Sequence, residues 1–285
     1  MKTRNNIQNL IPSLKTTFCV IGILFLSFIG NAQYNSSDLG FGYLYVGTNN
    51  ATVNTSADFE VTQTVLQNFP NVNTKVDLED DVAFPSSSSL FYVKAYVGGR
   101  FQITGTMMSL HRSGDKYISR QFAYGDSVYE VGARVKGTFN TDYYSVSLRV
   151  SIIKNNKITA GLSLGGRVLK MDAGIDASSY GYTFSNSGSF TIPVIMPGVH
   201  GSVYVLPKLL VRGSLEYFSL KYKESKGSVL ETQVTAEYYI LPNLGGGVGY
   251  SILDITAEGL PKNNIFLRDV NYSIKGINLF AALRF

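Results

Sequence analysis

The sequence predicts an all-β fold: a transmembrane, antiparallel, up-and-down β-barrel of about ten strands, preceded by a signal peptide. Three observations predict it. Ten segments alternate apolar with polar side chains at period two, as a half-buried strand requires. Very short turns bearing Gly, Asn or Pro alternate along the chain with longer connections. Charges within the segments fall on the polar row, and a charge facing lipid costs about 2–4 kcal/mol at mid-membrane, so that row faces the lumen.

The chain has 285 residues. Segment 1–32 carries Lys2, Arg4 and Lys15 and no acid, then an apolar run, then Gly30-Asn31-Ala32. That is the order of a secretory signal peptide, with cleavage expected after Ala32, and its apolar run of about 14 residues is short for a membrane helix. The remaining 33–285 form the barrel and contain no cysteine, because the single one is Cys19. Disulfides therefore play no part in holding the mature chain together. Three of the 25 basic residues lie in the leader and none of the 20 acidic ones does, so the mature chain is close to neutral. No basic stripe survives, which removes nucleic acid as a partner. Beyond Ala32 there is no uncharged apolar run long enough for a helical span. Instead 19 Tyr, 17 Phe and 28 Gly accompany no Trp, a composition suited to strands with aromatic interface anchors.

The expected strands are 38–47, 90–97, 101–111, 143–153, 157–171, 199–205, 208–222, 228–240, 244–256 and 271–285. Tight turns fall at 98–100, 154–156, 206–207 and 241–243, on the side expected to face the periplasm. Longer loops are expected at 49–89, 112–142, 172–198, 223–227 and 257–270. The stretch 112–142 is long enough to hide a further hairpin, 117–124 with 127–136, so twelve strands is an alternative and eight a more distant one. On 143–153, Tyr144, Val146, Leu148, Val150 and Ile152 oppose Ser145, Ser147, Arg149 and Ser151. Ten strands leave a narrow lumen. Lys94, Arg149, Arg167, Arg212 and Arg284 facing Glu216, Glu231 and Glu237 are expected to pair and obstruct it.

In the last strand Ile277, Leu279, Ala281, Leu283 and Phe285 alternate with Gly276, Asn278, Phe280, Ala282 and Arg284. This resembles the C-terminal assembly signal of bacterial outer-membrane β-barrels. The resemblance implies the cell outer membrane, recognition by the barrel assembly machinery through the strand ending in Phe285, and contact with outer-membrane lipids and lipopolysaccharide. D-L-E-D-D-V-A-F (77–84), H-R-S-G (111–114), F-A-Y-G-D (122–126), L-G-G-R-V (164–168), R-G-S-L-E-Y-F-S-L-K-Y (212–222) and G-V-G-Y-S (247–251) resemble a family of uncharacterised outer-membrane barrels. That family carries no established activity, so the resemblance implies the fold and the compartment alone.

Candidate chemistry is sparse. Some outer-membrane hydrolases place a histidine beside a serine or aspartate near the outer rim. His111 and His200 are the two histidines, with Ser109, Asp115 and Ser202 nearby in sequence, and both are expected near outer strand ends as interface or loop residues. Asp77, Glu79, Asp80 and Asp81 form the densest acidic group. They lack the spacing of a calcium loop and read as a solvated loop or lumen plug. Lys221, Lys223 and Lys226 at a hairpin tip could meet lipopolysaccharide phosphates. Gly245, Gly246, Gly247 and Gly249 precede strand-like residues, so they read as barrel glycines rather than a phosphate loop. No catalytic, cofactor-binding or metal residue is assigned, and no cofactor is implied. The expected function is a non-enzymatic barrel, either a narrow pore or a small-molecule binding or transport barrel. The alternatives are a structural or surface-interaction barrel acting through its loops and, further off, a lipid-modifying enzyme.

Overall fold

The computed structural model describes residues 42–59, 68, 75–119, 121–124, 127–129, 131–179, 182–222, 224–259 and 267–285. The expected signal peptide, 1–32, lies outside the described residues.

Ten antiparallel strands form the barrel wall. In order round the wall they are β1 (Gly42–Phe59), β3 (Ser87–Val97), β4 (Phe101–Tyr117), β7 (Arg134–Lys154), β8 (Ile158–Ser179), β9 (Tyr182–Leu206), β10 (Leu209–Tyr222), β11 (Ser225–Tyr239), β12 (Leu244–Glu258) and β13 (Leu267–Arg284). Closure comes from β1 against β13, in register from Tyr43 opposite Arg284 to Asp58 opposite Asp269, so no barrel edge is left open. A short β2 (Lys75–Asp77) continues past the end of β3 along β1, and a five-residue helix, α1 (Leu78–Val82), follows it. The hairpin suspected within 112–142 exists only as the small separate sheet β5 (Phe122–Tyr124) and β6 (Ser127–Tyr129). Ten is therefore the strand number.

The wall changes character along its length. Strand β7 shows how. Its odd-numbered residues point inward from Val135 to Ser151, and its even-numbered residues point outward. Near the turns the outward row is apolar and exposed (Val146, Leu148, Val150, Ile152), while the inward row is Ser145, Ser147, Arg149 and Ser151. Toward the loops the rows exchange roles: Arg134, Lys136, Thr138 and Asn140 face out, and Val135, Phe139 and Tyr143 face in. The turn-end half thus presents a lipid-facing apolar belt around a polar lumen. The loop-end half has a polar exterior and an apolar core of its own, which gathers Val53, Leu110, Met171, Met196, Ile255 and Tyr272 among others.

Strand length requires the second half. Strand β9 has 25 residues. At about 3.3 Å per residue and a tilt of about 45° it rises more than twice the roughly 25 Å of an outer-membrane apolar band. The expected loop 172–198 is consequently wrong: it is the extended β8–β9 hairpin, paired from Asp172 opposite Ser189 to Ser179 opposite Tyr182. Pro193 and Pro197 lie in this hairpin where β9 pairs with β8 and not yet with β10, which begins its pairing at Gly198. A proline costs no ladder hydrogen bond when its nitrogen faces an unpaired edge. Both ends of the expected loop 112–142 are likewise strand, since β4 runs to Tyr117 and β7 begins at Arg134. The expected confinement of charge to one row also needs correction, because Lys170, Asp254 and Lys275 point outward. They sit loopward of the belt, paired as Lys170–Asp172 (2.8 Å) and Lys275–Asp254 (3.6 Å).

Candidate functional site: a plugged lumen with a turn-end cavity

The loop-end mouth is filled by the segment around α1. The Asp77 carboxylate caps the helix, accepting from the Glu79 and Asp80 amides at 3.1 and 2.9 Å. Ala83 ends it in the left-handed region at φ 60°. Val76, Leu78, Val82 and Phe84 join the loop-end core. Gly137, on the inward row of β7, makes room for them: a Cβ there would overlap the Val82 and Phe84 side chains. Glu79 reaches the wall, accepting from the Thr55 amide at 2.8 Å and from the Arg112 guanidinium. Arg112, whose side chain is fully buried, also donates to Thr55 Oγ1 at 2.5 Å and lies over the Phe84 and Phe139 rings. The acidic group is therefore the lumen-plug alternative. Among the described residues no cluster of His, Cys, Asp or Glu is placed to hold a metal ion.

Below the plug, two buried charge clusters cross the lumen. Arg167 on β8 donates to Glu231 on β11 at 3.0 Å, to Ser147 on β7 at 2.8 Å and to Glu216 on β10. Tyr143 donates to the same Glu231 oxygen at 2.5 Å. Arg167 runs over Gly165, where any Cβ would strike the guanidinium. In the second cluster Glu237 accepts from Arg212 (3.0 Å), Tyr239 (3.0 Å), Thr235 (3.3 Å) and, from β1 beyond β12 and β13, Tyr45 (3.1 Å). Lys94 on β3 donates across to Gln233 on β11 at 2.6 Å. Of the charges expected to pair, Arg167 and Arg212 hydrogen-bond carboxylates and Arg149 lies 3.8 Å from Glu216, whereas Lys94 bonds the neutral Gln233. At the turn-end rim Arg284 donates to Pro242 O and to the Tyr204 hydroxyl.

Among the described residues, two cavities lie beside these clusters. One lies at mid-lumen beside Lys94, Tyr143, Glu231 and Gln233. The other is a narrow space toward the turns, lined by Tyr43, Tyr96, Arg149, His200, Arg212 and Thr235 with small polar neighbours. Three cations converge on the Tyr96 ring there, with Lys94 Nζ at 5.2 Å, Arg149 at 5.1 Å and Arg212 at 5.6 Å from its centroid. Arg212 also stacks on Tyr43 at 4.1 Å.

The histidines do not form one site. His200 was expected at an outer strand end, but β9 begins 18 residues before it, and it faces the turn-end cavity at 8% exposure. His111 is on the exposed outer wall of β4, loopward of the belt, so the barrel wall separates the two. Neither ring nitrogen of His200 has a hydrogen-bond partner, so it is not paired with a serine. Ser109 donates instead to Asp142 at 2.6 Å. Asp115 is held in a two-pronged pair by Arg134 at 2.7 and 2.8 Å, and the Arg134 hydrogen bonds keep its carboxyl below the ordinary range. Of the hairpin-tip lysines, Lys226 pairs with Glu258 at 3.3 Å, Lys221 is exposed, and Lys223 lies outside the described residues. The glycines of β12 are barrel glycines as expected: Gly247 faces the Phe280 ring.

Sequence reasoning missed Arg112, placed at the start of a loop, and the inward tyrosines Tyr43, Tyr45 and Tyr239. Their signal was the alternation itself, since Tyr43 and Tyr45 share a row and Tyr239 follows Glu237 by two.

No family model and no curated protein matches the chain by sequence. Among solved structures it is similar to the outer membrane protease OmpT from Escherichia coli, at 8% identity and a TM-score of 0.52, over 88% of this chain and all of that one. It also aligns with the toluene transporter TodX of Pseudomonas putida (8% identity, 87% and 91% of the two chains, TM-score 0.37). A third alignment is with Ail, the attachment invasion locus protein of Yersinia pestis (11% identity, 84% and 98%, TM-score 0.32). The OmpT likeness is one of fold. Joined to the closed ten-strand wall and its lipid-facing belt, it makes this chain a β-barrel of the cell outer membrane.

Proposed function

We propose that this protein is a closed, non-enzymatic small-molecule binding barrel that takes its ligand into the turn-end cavity from the periplasmic side. The observation that carries this reading is the lumen itself. The α1 plug and the cross-lumen contacts of Arg167, Glu237 and Lys94 stand between the loop-end mouth and a cavity whose buried polar groups are left without partners. Buried donors and acceptors in native proteins are satisfied by protein, water or ligand. An open pore would instead need a continuous aqueous path, which around 16 strands provide and about eight do not.

A second reading rests on a different observation. The loop-end half, with its polar exterior and own core, stands clear of the membrane and could present a binding face to other surfaces. Planar-bilayer recording of the refolded protein tests the first reading. It predicts no stepwise conductance from the wild type, and stable ohmic steps would overturn it in favour of a pore.

A further inference from the structure

The turn-end cavity is lined by two arginines and, among the described residues, by no carboxylate. Among the described inward residues of the membrane half, Lys94, Arg149, Arg167 and Arg212 face the three carboxylates Glu216, Glu231 and Glu237. Glu231 and Glu216 are taken up by Arg167, and Glu237 by Arg212. Lys94 donates to the neutral Gln233, and Arg149 is the cavity-lining cation that hydrogen-bonds no carboxylate. Its ion-pair partner, Glu216 Oε1, is at 3.8 Å and itself accepts no hydrogen bond, and the Arg149 Nε–H has no partner although the residue is 7% exposed. Arg212 Nη2 and both nitrogens of His200 are equally without partners, and all three residues line the same cavity. A neutral imidazole always has one N–H to give and a guanidinium has five. These donors converge on one space.

We propose that this cavity is an anion-binding site for a small molecule bearing one carboxylate or phosphoryl group. Arg149 and Arg212 supply charged N–H donors to the acidic group, His200 supplies a third donor, and the rings of Tyr43 and Tyr96 form the apolar wall for the rest of the molecule. The proposal rests on the binding-barrel reading and adds the chemical class of the ligand.

The test is calorimetric titration of the refolded, detergent-solubilised barrel in low-chloride buffer with inorganic phosphate and with benzoate. Two probes of other charge, glucose and tetramethylammonium, run alongside. The variants are Arg149→Gln, Ser202→Glu and, on the outer wall, Lys275→Gln. Ser202 lines the cavity directly opposite Arg212 in the β9–β10 pairing, so a carboxylate placed there occupies the site from within. This second variant adds a partner rather than removing one, so the test survives if Arg149→Gln fails to fold. The expected result is saturable binding of at least one anion, weakened tenfold or more by both cavity variants and unchanged by Lys275→Gln. Tighter phosphate binding identifies a phosphoryl ligand; tighter benzoate binding identifies a carboxylate on a planar body. Anion binding that the cavity variants leave unchanged overturns the proposal. Binding of glucose or tetramethylammonium alone, lost in Ser202→Glu, overturns the anion class and leaves the binding barrel standing. No binding by any probe overturns both.

Discussion

Replacing Arg167 with leucine removes the one cation that holds two buried carboxylates. Glu231 keeps the Tyr143 hydroxyl, at 2.5 Å. Glu216 keeps only Arg149, at 3.8 Å and outside hydrogen-bond distance. Both carboxylates are deep in the wall, with side-chain exposures of 3% and 23%. Removing one partner of a buried ion pair costs about 3–5 kcal/mol, because the other charge stays buried alone. Hydrogen bonds to charged groups are worth about 1.5–3 kcal/mol each, and Arg167 makes three contacts of that kind to Glu231, Glu216 and Ser147. A loss of at least about 3 kcal/mol is therefore expected, with Glu216 the main source. The double variant Arg167→Leu with Glu216→Leu should recover half or more of it, since apolar replacement of a whole buried pair is often neutral. The assay is urea unfolding from lipid vesicles, followed by far-UV circular dichroism because the chain has no tryptophan. A single-variant loss below about 1 kcal/mol, the range of an exposed pair, would refute the reasoning.

The same geometry gives further expectations. Leu148→Lys places a charge on the lipid-facing row and should destabilise the barrel by about 2–4 kcal/mol, whereas Lys136→Gln on the same row, loopward of the belt, should stay within about 0.5 kcal/mol in the same unfolding assay. Gly137→Leu should displace the α1 segment, read as faster proteolysis of 75–86 with the ten-strand circular dichroism signal retained. Asp115 has its carboxyl lowered by Arg134, so the pair's contribution is present above the unfolded carboxylate range and is lost as pH falls through the depressed value. NMR titration of Asp115 should move toward the ordinary range in Arg134→Gln.

Much of the membrane half was legible because one rule governs it. Outward residues must be apolar and inward ones polar, so Val146, Leu148 and Val150 against Ser147, Arg149 and Ser151 reveal both the strand and its facing. The loop-end half obeys the opposite rule. Past Asp142 toward Arg134 the outward row becomes polar and the inward row apolar, so the alternation inverts without any break in the strand. Read as one pattern, an inversion looks like a strand end, and 112–142 and 172–198 were expected as loops for that reason. Pro193 and Pro197 also read against a strand interior, since nothing in the sequence marks where β9 lacks its second partner. His200 then followed the misplaced strand end to the wrong depth. The charge clusters were anticipated as a set, because inward position fixes which residues can meet. Their pairing was not, because Arg167 reaches Glu216 only over the surface that Gly165 leaves clear.

The central claim is that the turn-end cavity communicates with one side of the membrane alone. Its most direct test is side-specific thiol labelling of Ser214→Cys, a half-buried cavity position. Apart from the introduced thiol the chain has a single cysteine, Cys19. With the barrel in oriented proteoliposomes, a membrane-impermeant methanethiosulfonate should label Cys at 214 when added at the turn end and leave it unlabelled when added at the loop end. Labelling from the loop end would mean an open lumen and would contradict the account.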